Sequence, residues 1–242
     1  MEFINIDFVL IVIFVSIIQS LFGVGVLLFG TPLFLILGYQ FFESLLILLP
    51  ISLSINFLQL IKGYKEVNIS IYKNIIIFTV PLIVITLSLI SHNSIDVNLF
   101  IGLFLIFIAL KNYIVLFDKL LDSLLMHNKL FYILMGIVHG ITNLGGALLT
   151  AKIFHASLNK YQTRSTIALS YMTFALFQIL TILFLDIEYK IENIYYILIG
   201  IIIYILTHKF LFHKITDSKY NKLFAIFLSI FGFLLIYKGM IW

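Results

Sequence analysis

The sequence predicts an all-α polytopic membrane protein of two inverted repeats, each a broken U-shaped helix pair plus three transmembrane helices. Three observations lead to this fold class. Of the 242 residues, 62% are hydrophobic and only 11% are charged, whereas soluble domains carry about 25% charged residues. Apolar runs of the length that crosses a bilayer, about 20 residues, fill most of the chain. Two of the runs contain glycine-bearing breaks, at residues 23–25 and 143–146.

The first repeat begins with a charge-free run at residues 8–42, too long for one crossing and too short for two. Glycine lets the backbone leave a helix at low cost. Gly23 and Gly25 therefore divide the run into two arms, and Pro32 would kink the second of them. The predicted elements of this half are arms at 8–22 and 26–38 and spans at 44–61, 74–90 and 97–115.

The second half repeats this layout after a mixed connector. The predicted elements are a broken run at 130–158 and spans at 165–185, 193–207 and 221–237. The chain is therefore divided into a first transmembrane repeat at 1–115, a cytoplasmic connector at 116–129 and a second transmembrane repeat at 130–242.

Loop charges give the orientation. Lys62, Lys65 and Lys73 follow the first full span, and four more lysines lie in the loop at 207–222. Both loops are predicted to be cytoplasmic by the positive-inside rule, and the mostly acidic loop at 186–192 to be outside. Counting crossings between these loops places both ends of the first broken run, and both termini, outside. Both ends of the second broken run lie inside, so each run is a U and the repeats are inverted. Moving one ambiguous loop would turn a U into a crossing.

Two short motifs carry a family resemblance. Residues 19–33 read QSLFGVGVLLFGTPL, a glycine cluster followed by apolar residues and Pro-Leu. This stretch resembles the first glycine-rich signature of the sulfite exporter TauE/SafE family, and residues 136–164 are similar to the second. Pro50-Ile51-Ser52-Leu53 resembles the family's Thr-Ser-Leu-type stretch. The first glycine cluster is thinner than usual, and Lys152 stands at the place that corresponds to Pro32. The resemblance implies a membrane transporter for small anions such as sulfite and sulfonates.

Polar groups at membrane depth are costly, which makes them functional candidates. Asn143 could donate its amide to an oxyanion beside the N–H groups of Gly145 and Gly146, where a helix N-terminus favours negative charge. It could equally cap that arm alone. Gln19 and His139 lie 120 residues apart, each one turn before a break. Each could bind substrate or a neighbouring helix, and His139 could also carry a proton.

Four further residues complete the predicted site. Thr31 and Asn56 could contribute from the first half or bond adjacent helices. Lys152 could supply positive charge or snorkel to the headgroups, and Arg164 could attract anions to a cytoplasmic entrance. The predicted substrate-binding set is Gln19, Gly23, Gly25, Thr31, Asn56, His139, Asn143, Gly145, Gly146, Lys152 and Arg164.

The leading functional prediction is a secondary anion transporter in the cell membrane that works by alternating access around the two breaks. An anion channel and a non-transporting scaffold subunit are the alternatives. An enzyme is not expected, because the chain has no cysteine, His-Glu-x-x-His or Gly-x-Ser-x-Gly pattern. No metal, cofactor or nucleic-acid partner is predicted. The expected partners are the small anion and the bilayer, while coupling to protons or ions and homo-oligomerisation stay open.

Overall fold

The computed structural model describes residues 5–61, 63–93, 97–110, 114–156, 158–188, 193–211, 233 and 237. Every regular element within these ranges is helical. The predicted last span, 221–237, lies outside the described residues apart from 233 and 237. The α-helices are α1 Ile6–Phe22, α2 Val26–Ile36, α3 Phe41–Ile61, α4 Ile69–Asn74, α5 Val80–His92, α6 Val97–Leu110, α7 Val115–Met126, α8 Asn128–Thr142, α9 Gly146–His155, α10 Lys160–Phe184 and α11 Ile194–Leu211.

Three of the described helical segments are long and apolar enough to cross a membrane: Phe41–Ile61, Ile69–His92 and Tyr161–Phe184. The second of these joins α4 to α5 through a π-helical stretch, Ile75–Thr79. Helices α7 and α8 meet at a bend of 114° and would count as a fourth span if taken together. The remaining apolar helices α1, α2, α6 and α11 are shorter. The prediction of an all-helical, multi-pass membrane protein is confirmed.

Helices α1 and α2 form a hairpin around the first break. Gly23 ends α1 in the left-handed conformation, with φ of 73°, and its N–H donates to the Gln19 carbonyl at 2.9 Å. The Phe8 ring at the start of α1 lies 5.0 Å from the Phe34 ring near the end of α2. Helix α2 therefore returns along α1 instead of continuing away from it.

Helices α8 and α9 form the second hairpin. Asn143 ends α8 in the left-handed conformation, with φ of 61°, and its N–H donates to the His139 carbonyl at 2.7 Å. Near the end of α9, Lys152 Nζ donates to the Leu125 carbonyl at 2.8 Å, just before α8 begins. Helix α9 therefore returns along α8. Asparagine tolerates the left-handed region better than most residues, which is why it can stand where the first hairpin has glycine.

Helices α3 and α10 pack antiparallel at the centre of the molecule. Gly63, beyond the end of α3, adjoins Ser165 at the start of α10. At the other end, Leu49 and Ile179 line a shared apolar crevice. Helix α1 packs along α11 and α5 along α8. The α5–α8 contact is close because a Cβ at Gly136 would lie 2.6 Å from the Thr79 carbonyl oxygen, as expected for small residues at helix interfaces in membranes.

The predicted connector at 116–129 differs from expectation because most of it is the helix α7. Leu121 and Leu125 are buried, whereas Leu116, Leu120 and Met126 are exposed. Apolar residues four apart lie on one helical face, so the connector has a buried stripe of its own. The preceding predicted span, 97–115, is described as the helix α6 as far as Leu110, and residues 111–113 lie outside the described part of the chain.

Hydrogen bonds and aromatic contacts join the two open ends of the first hairpin, the start of α1 and the residues after α2. The Tyr39 hydroxyl donates to the Asp7 carboxylate at 2.9 Å and accepts from the Asn5 amide at 3.0 Å. Burial raises the pKa of Tyr39, and Asp7 adds to this, while the bond from Asn5 acts in the opposite direction. The hydroxyl is therefore held in its neutral, donating form. The Phe8 ring packs 4.7 Å from Tyr39 and 5.5 Å from Tyr196 of α11.

Candidate functional site

The two breaks are joined by a hydrogen bond in the interior of the protein. The Asn143 amide donates to the Thr31 hydroxyl at 2.9 Å, and both residues are fully buried. Thr31 lies on α2 and Asn143 ends α8, so the bond connects one hairpin to the other. Helices α2 and α9, the two returning arms, are also in contact.

At the first break, the Gln19 side chain bonds the backbone on both sides of the break and the Asn56 amide. Gln19 Nε2 donates to the Gly23 carbonyl at 2.9 Å and to Asn56 Oδ1 at 3.2 Å. Gln19 Oε1 accepts from the Val26 N–H, the first of α2, at 3.1 Å. A Cβ at Gly25 would lie only 2.9 Å from the backbone nitrogen of Gln19, so glycine is the residue that fits at this position. The Gln19 side chain therefore bonds the end of α1 to the start of α2 across the break.

At the second break, a corresponding pair leaves polar atoms unpaired. His139 Nε2 lies 3.2 Å from Gln178 Oε1 of α10. His139 Nδ1, Gln178 Nε2 and Asn143 Oδ1 are buried without a hydrogen-bond partner, and all three residues are fully buried. An unsatisfied buried polar group costs about 1–3 kcal/mol, so such groups are rare in native structures unless they bind something. His139 and Asn143 lie within one turn of this break, and Gln178 faces it from α10.

The amide of Asn143 can present either of its ends at this break. Oxygen and nitrogen of an amide are interchangeable by rotation, and a hydroxyl can donate as well as accept. Turning the amide over keeps the bond to Thr31, with the hydroxyl now donating, and directs an NH₂ group toward the unpaired position. The site can therefore offer hydrogen-bond donors to an anion.

The start of α9 adds backbone donors beside these side chains. The first N–H groups of a helix have no acceptor within it, and its dipole favours negative charge there. Here the Leu144 N–H already donates to Thr142 Oγ1 and the Ala147 N–H to the Leu144 carbonyl, so the added donors are those of Gly145 and Gly146. A Cβ at Gly145 would lie 2.8 Å from the Met135 carbonyl oxygen and 3.1 Å from His139 Cα. At Gly146 a Cβ would overlap the Tyr171 hydroxyl. Both glycines are therefore needed to bring the backbone this close to the polar cluster.

Lys152 lies away from the second break. Its ammonium group donates to the Leu125 carbonyl and to Asn128 Oδ1, at 2.8 and 2.5 Å. The same nitrogen stands 5.5 Å from the Phe131 ring centre and 5.8 Å from that of Tyr132. These partners lie at the start of α8, whereas the break follows its end, about 21 Å farther along the helix. Lys152 thus ties α9 to the α7–α8 corner.

Arg164 lies beside the first break. One guanidinium nitrogen donates to the Tyr204 hydroxyl at 3.1 Å and lies 3.2 Å from His208 Nδ1, both on α11. Its Cγ is 3.9 Å from where a Cβ of Gly23 would be. Gln178 stands 14 residues farther along α10, about 21 Å away. The predicted cations therefore do not form one site: Arg164 lies at the first break, Lys152 at the α7–α8 corner, and the predicted side chains at the second break are neutral.

A family model described as Sulfite exporter TauE/SafE matches residues 8–235. The chain belongs to the TauE/SafE family. The resemblance inferred from the two glycine-bearing motifs is thus confirmed over almost the whole chain. Membership makes the protein a multi-pass membrane exporter or permease of sulfite or other sulfur anions, which is consistent with the prediction that it is not an enzyme. No curated protein and no solved structure matches the chain.

Two residues of the TauE/SafE protein's second break were missed by sequence reasoning. Gln178 lies in an otherwise apolar stretch of α10, and a buried amide within a span is itself a functional signal. Gln178 bonds His139 as Asn56 bonds Gln19. Asn56 and Gln178 are 122 residues apart, so a comparison of the two halves at a fixed offset of 120 does not align them. Tyr171, beside Gly146, has no feature in the sequence that distinguishes it from the other tyrosines of the chain.

Replacing Lys152 by alanine in the TauE/SafE protein is expected to lower thermal stability without changing the apparent KM for anion. The ammonium makes charge-assisted hydrogen bonds worth about 1.5–3 kcal/mol and cation–π contacts of about 0.5–2 kcal/mol, and none of them is at the second break. Thermal unfolding in detergent and flux in proteoliposomes measure the two effects. Exposed Lys65 replaced by alanine is the control. A large rise in KM with unchanged stability would place Lys152 in the anion site.

Proposed function

We propose that this TauE/SafE protein is a secondary transporter of sulfite or related sulfur oxyanions and sulfonates, with its substrate site at the second break. The observation that carries the proposal is the set of unpaired atoms on His139, Asn143 and Gln178, buried beside the start of α9. Anions are stabilised where donors and a helix N-terminus converge. At the first break the Gln59 amide of α3 is also buried without a hydrogen-bond partner, but Gln19 bonds the backbone on both sides of that break and the Asn56 amide.

Paired local geometry supports two inverted repeats as the basis of transport. Gly23 and Asn143, both left-handed, are 120 residues apart. Each is preceded by a polar residue that bonds a residue of the long helix following its hairpin: Gln19 to Asn56, and His139 to Gln178. Broken helices that meet inside the membrane are the hallmark of transporters with inverted repeats.

Alternating access follows if one hairpin moves against the other. The bond from Asn143 to Thr31 joins the hairpins through a single side-chain pair, which can break and reform during such a movement. Loop charges favour a cell-membrane orientation with both termini outside. In this orientation the first break lies toward the cytoplasm, near Arg164, and the second lies toward the outside.

Sulfite flux into proteoliposomes tests the proposal. Purified protein should give saturable uptake and counterflow, which a channel does not show. Gln178→Leu should lower the apparent affinity about tenfold or more, because a hydrogen bond to a charged ligand is worth about 1.5–3 kcal/mol and 1.4 kcal/mol is tenfold. Gln162→Leu, the same change in the first turn of α10, should behave as wild type.

Outcomes against the proposal are equally specific. Absence of flux with sulfite, thiosulfate and a sulfonate, in protein that is correctly inserted, would contradict transport and favour a scaffold role. Equal losses in Gln178→Leu and Gln162→Leu would contradict the placement of the site. Flux without counterflow would indicate a channel that uses the same residues.

A further inference from the structure

We infer that the second break selects a singly charged, proton-bearing oxyanion, hydrogensulfite in the case of sulfite, over the divalent form of the same anion. This inference rests on the proposed function and adds the charge state of the substrate. Two features carry it: the second break is lined by neutral groups, and its two central side chains offer one donor together with one acceptor.

The first feature is the neutrality of the described side chains at the second break. Among the described residues that surround it, His139, Asn143, Gln178, Tyr171 and Thr31 are neutral amide, hydroxyl or imidazole side chains. The two cations nearest along the described helices turn their head groups away from the break: Lys152, six residues after Gly146, bonds the α7–α8 corner, and Arg164, about 10 Å before Tyr171 on α10, bonds Tyr204 of α11. Burying an ion costs free energy that rises with the square of its charge. A divalent anion would therefore cost about four times as much to desolvate as a monovalent one, and the described side chains that line the break carry no positive charge to offset that cost.

The second feature is the pairing of His139 with Gln178. If imidazole Nε2 donates to Gln178 Oε1, then the amide NH₂ is left as a donor and imidazole Nδ1 as an acceptor. If the amide is turned over and donates to Nε2, then Nδ1–H becomes the donor and Oε1 the acceptor. Either arrangement leaves one donor and one acceptor unpaired. A ligand with an anionic oxygen and a proton of its own satisfies both. A monovalent sulfonate satisfies the donor alone, and a divalent anion in addition brings a second negative charge to the acceptor.

The proton would then travel on the substrate. The titratable groups that face the second break in the described structure are His139 on α8 and Tyr171 on α10, and the α5 groups nearest to this part of α8 are Thr86 and Ile83, which do not titrate near neutral pH. The pH dependence of sulfite transport should therefore follow the ionisation of sulfite itself. Transport of a sulfonate, which is monovalent at all moderate pH values, should not follow it.

Flux in proteoliposomes at fixed total anion and varied pH tests the inference. Above the second pKa of sulfite, sulfite flux should fall about tenfold for each pH unit, as the monoanion fraction does, while methanesulfonate flux stays constant. In competition against sulfite, methanesulfonate should inhibit at least tenfold more strongly than thiosulfate, a dianion. Gln178→Lys, which places a cation in the site, should reverse that order, with Gln162→Lys as the control.

Three results would overturn the inference. These are inhibition of the wild-type protein by thiosulfate as strong as by methanesulfonate, sulfite flux that rises with pH, and sulfite and methanesulfonate fluxes that fall together. The last would mean that a protein group titrates. The wild-type measurements decide the matter even if Gln178→Lys does not fold. Absence of flux for every anion would contradict the proposed function instead, so the two failures are distinguishable.

Discussion

Gly145→Ala is expected to reduce anion flux by about tenfold or more while leaving the amount of protein in the membrane nearly unchanged. The added Cβ would lie 2.8 Å from the Met135 carbonyl oxygen and 3.1 Å from His139 Cα. Both are backbone atoms of α8, which cannot yield without moving the helix. Overpacking of this kind costs about 1–3 kcal/mol, and 1.4 kcal/mol corresponds to tenfold in binding. Flux per inserted molecule measures the effect.

Gly200→Ala is the matched control for this substitution. A Cβ at Gly200 would also be crowded, at 2.8 Å from Ile51 Cγ2 and 3.3 Å from Ser16 Oγ. These atoms belong to side chains, which can rotate, and they lie between α1, α3 and α11, away from the second break. Gly200→Ala should keep most of its flux. If both variants lose flux equally, general packing and not the geometry of the break is responsible.

Asn143→Ala is expected to have the second large effect, and Asn143→Gly separates its causes. Alanine loses the bond to Thr31, worth about 1 kcal/mol, and is forced into a left-handed conformation that costs about 1–2 kcal/mol. Glycine adopts that conformation freely and loses the amide alone. Both variants lose the bond to Thr31, so thermal stability should fall for both, and further for alanine because of its strained conformation. Flux should fall strongly for both, because neither can donate to the anion.

Thr31→Val, measured in the same experiment, separates the role of the Asn143–Thr31 bond from the role of the Asn143 amide at the anion. It removes the hydroxyl that Asn143 contacts but leaves the amide free to reach substrate. Substrate affinity should be retained, while the maximal flux should change if the hairpins move against each other. Full flux in Asn143→Gly would show that Asn143 only caps α8 and that the anion binds elsewhere.

The positions of the hairpins could be predicted from the sequence because the signals are local. Glycine and asparagine within a long apolar run favour a left-handed helix end, and the observed ends at Gly23 and Asn143 coincide with it. The arms predicted at 8–22 and 26–38 correspond to α1 and α2 within two residues at each end. Such features depend on the backbone of a few neighbouring residues, so one sequence is enough to reveal them.

The composition of the candidate site could not be predicted as well, because it depends on which helices pack together. Gln178 reaches His139 from α10, 39 residues away, and no spacing rule brings the two together. The destinations of long cationic side chains are equally non-local: Lys152 turns toward the α7–α8 corner and Arg164 toward α11. The helix α7 is not predicted because it is short and contains three charged residues, which is also typical of a loop between two spans.

Equilibrium binding of sulfite to the purified protein in detergent, at a pH where hydrogensulfite predominates, decides where the anion binds. Three proteins are compared: wild type, Gln178→Leu at the second break and Arg164→Gln at the first. We expect saturable binding to wild type, about tenfold weaker binding to Gln178→Leu, and near wild-type affinity for Arg164→Gln. Wild-type affinity in Gln178→Leu together with loss of binding in Arg164→Gln would contradict a substrate site at the second break and move it to the first.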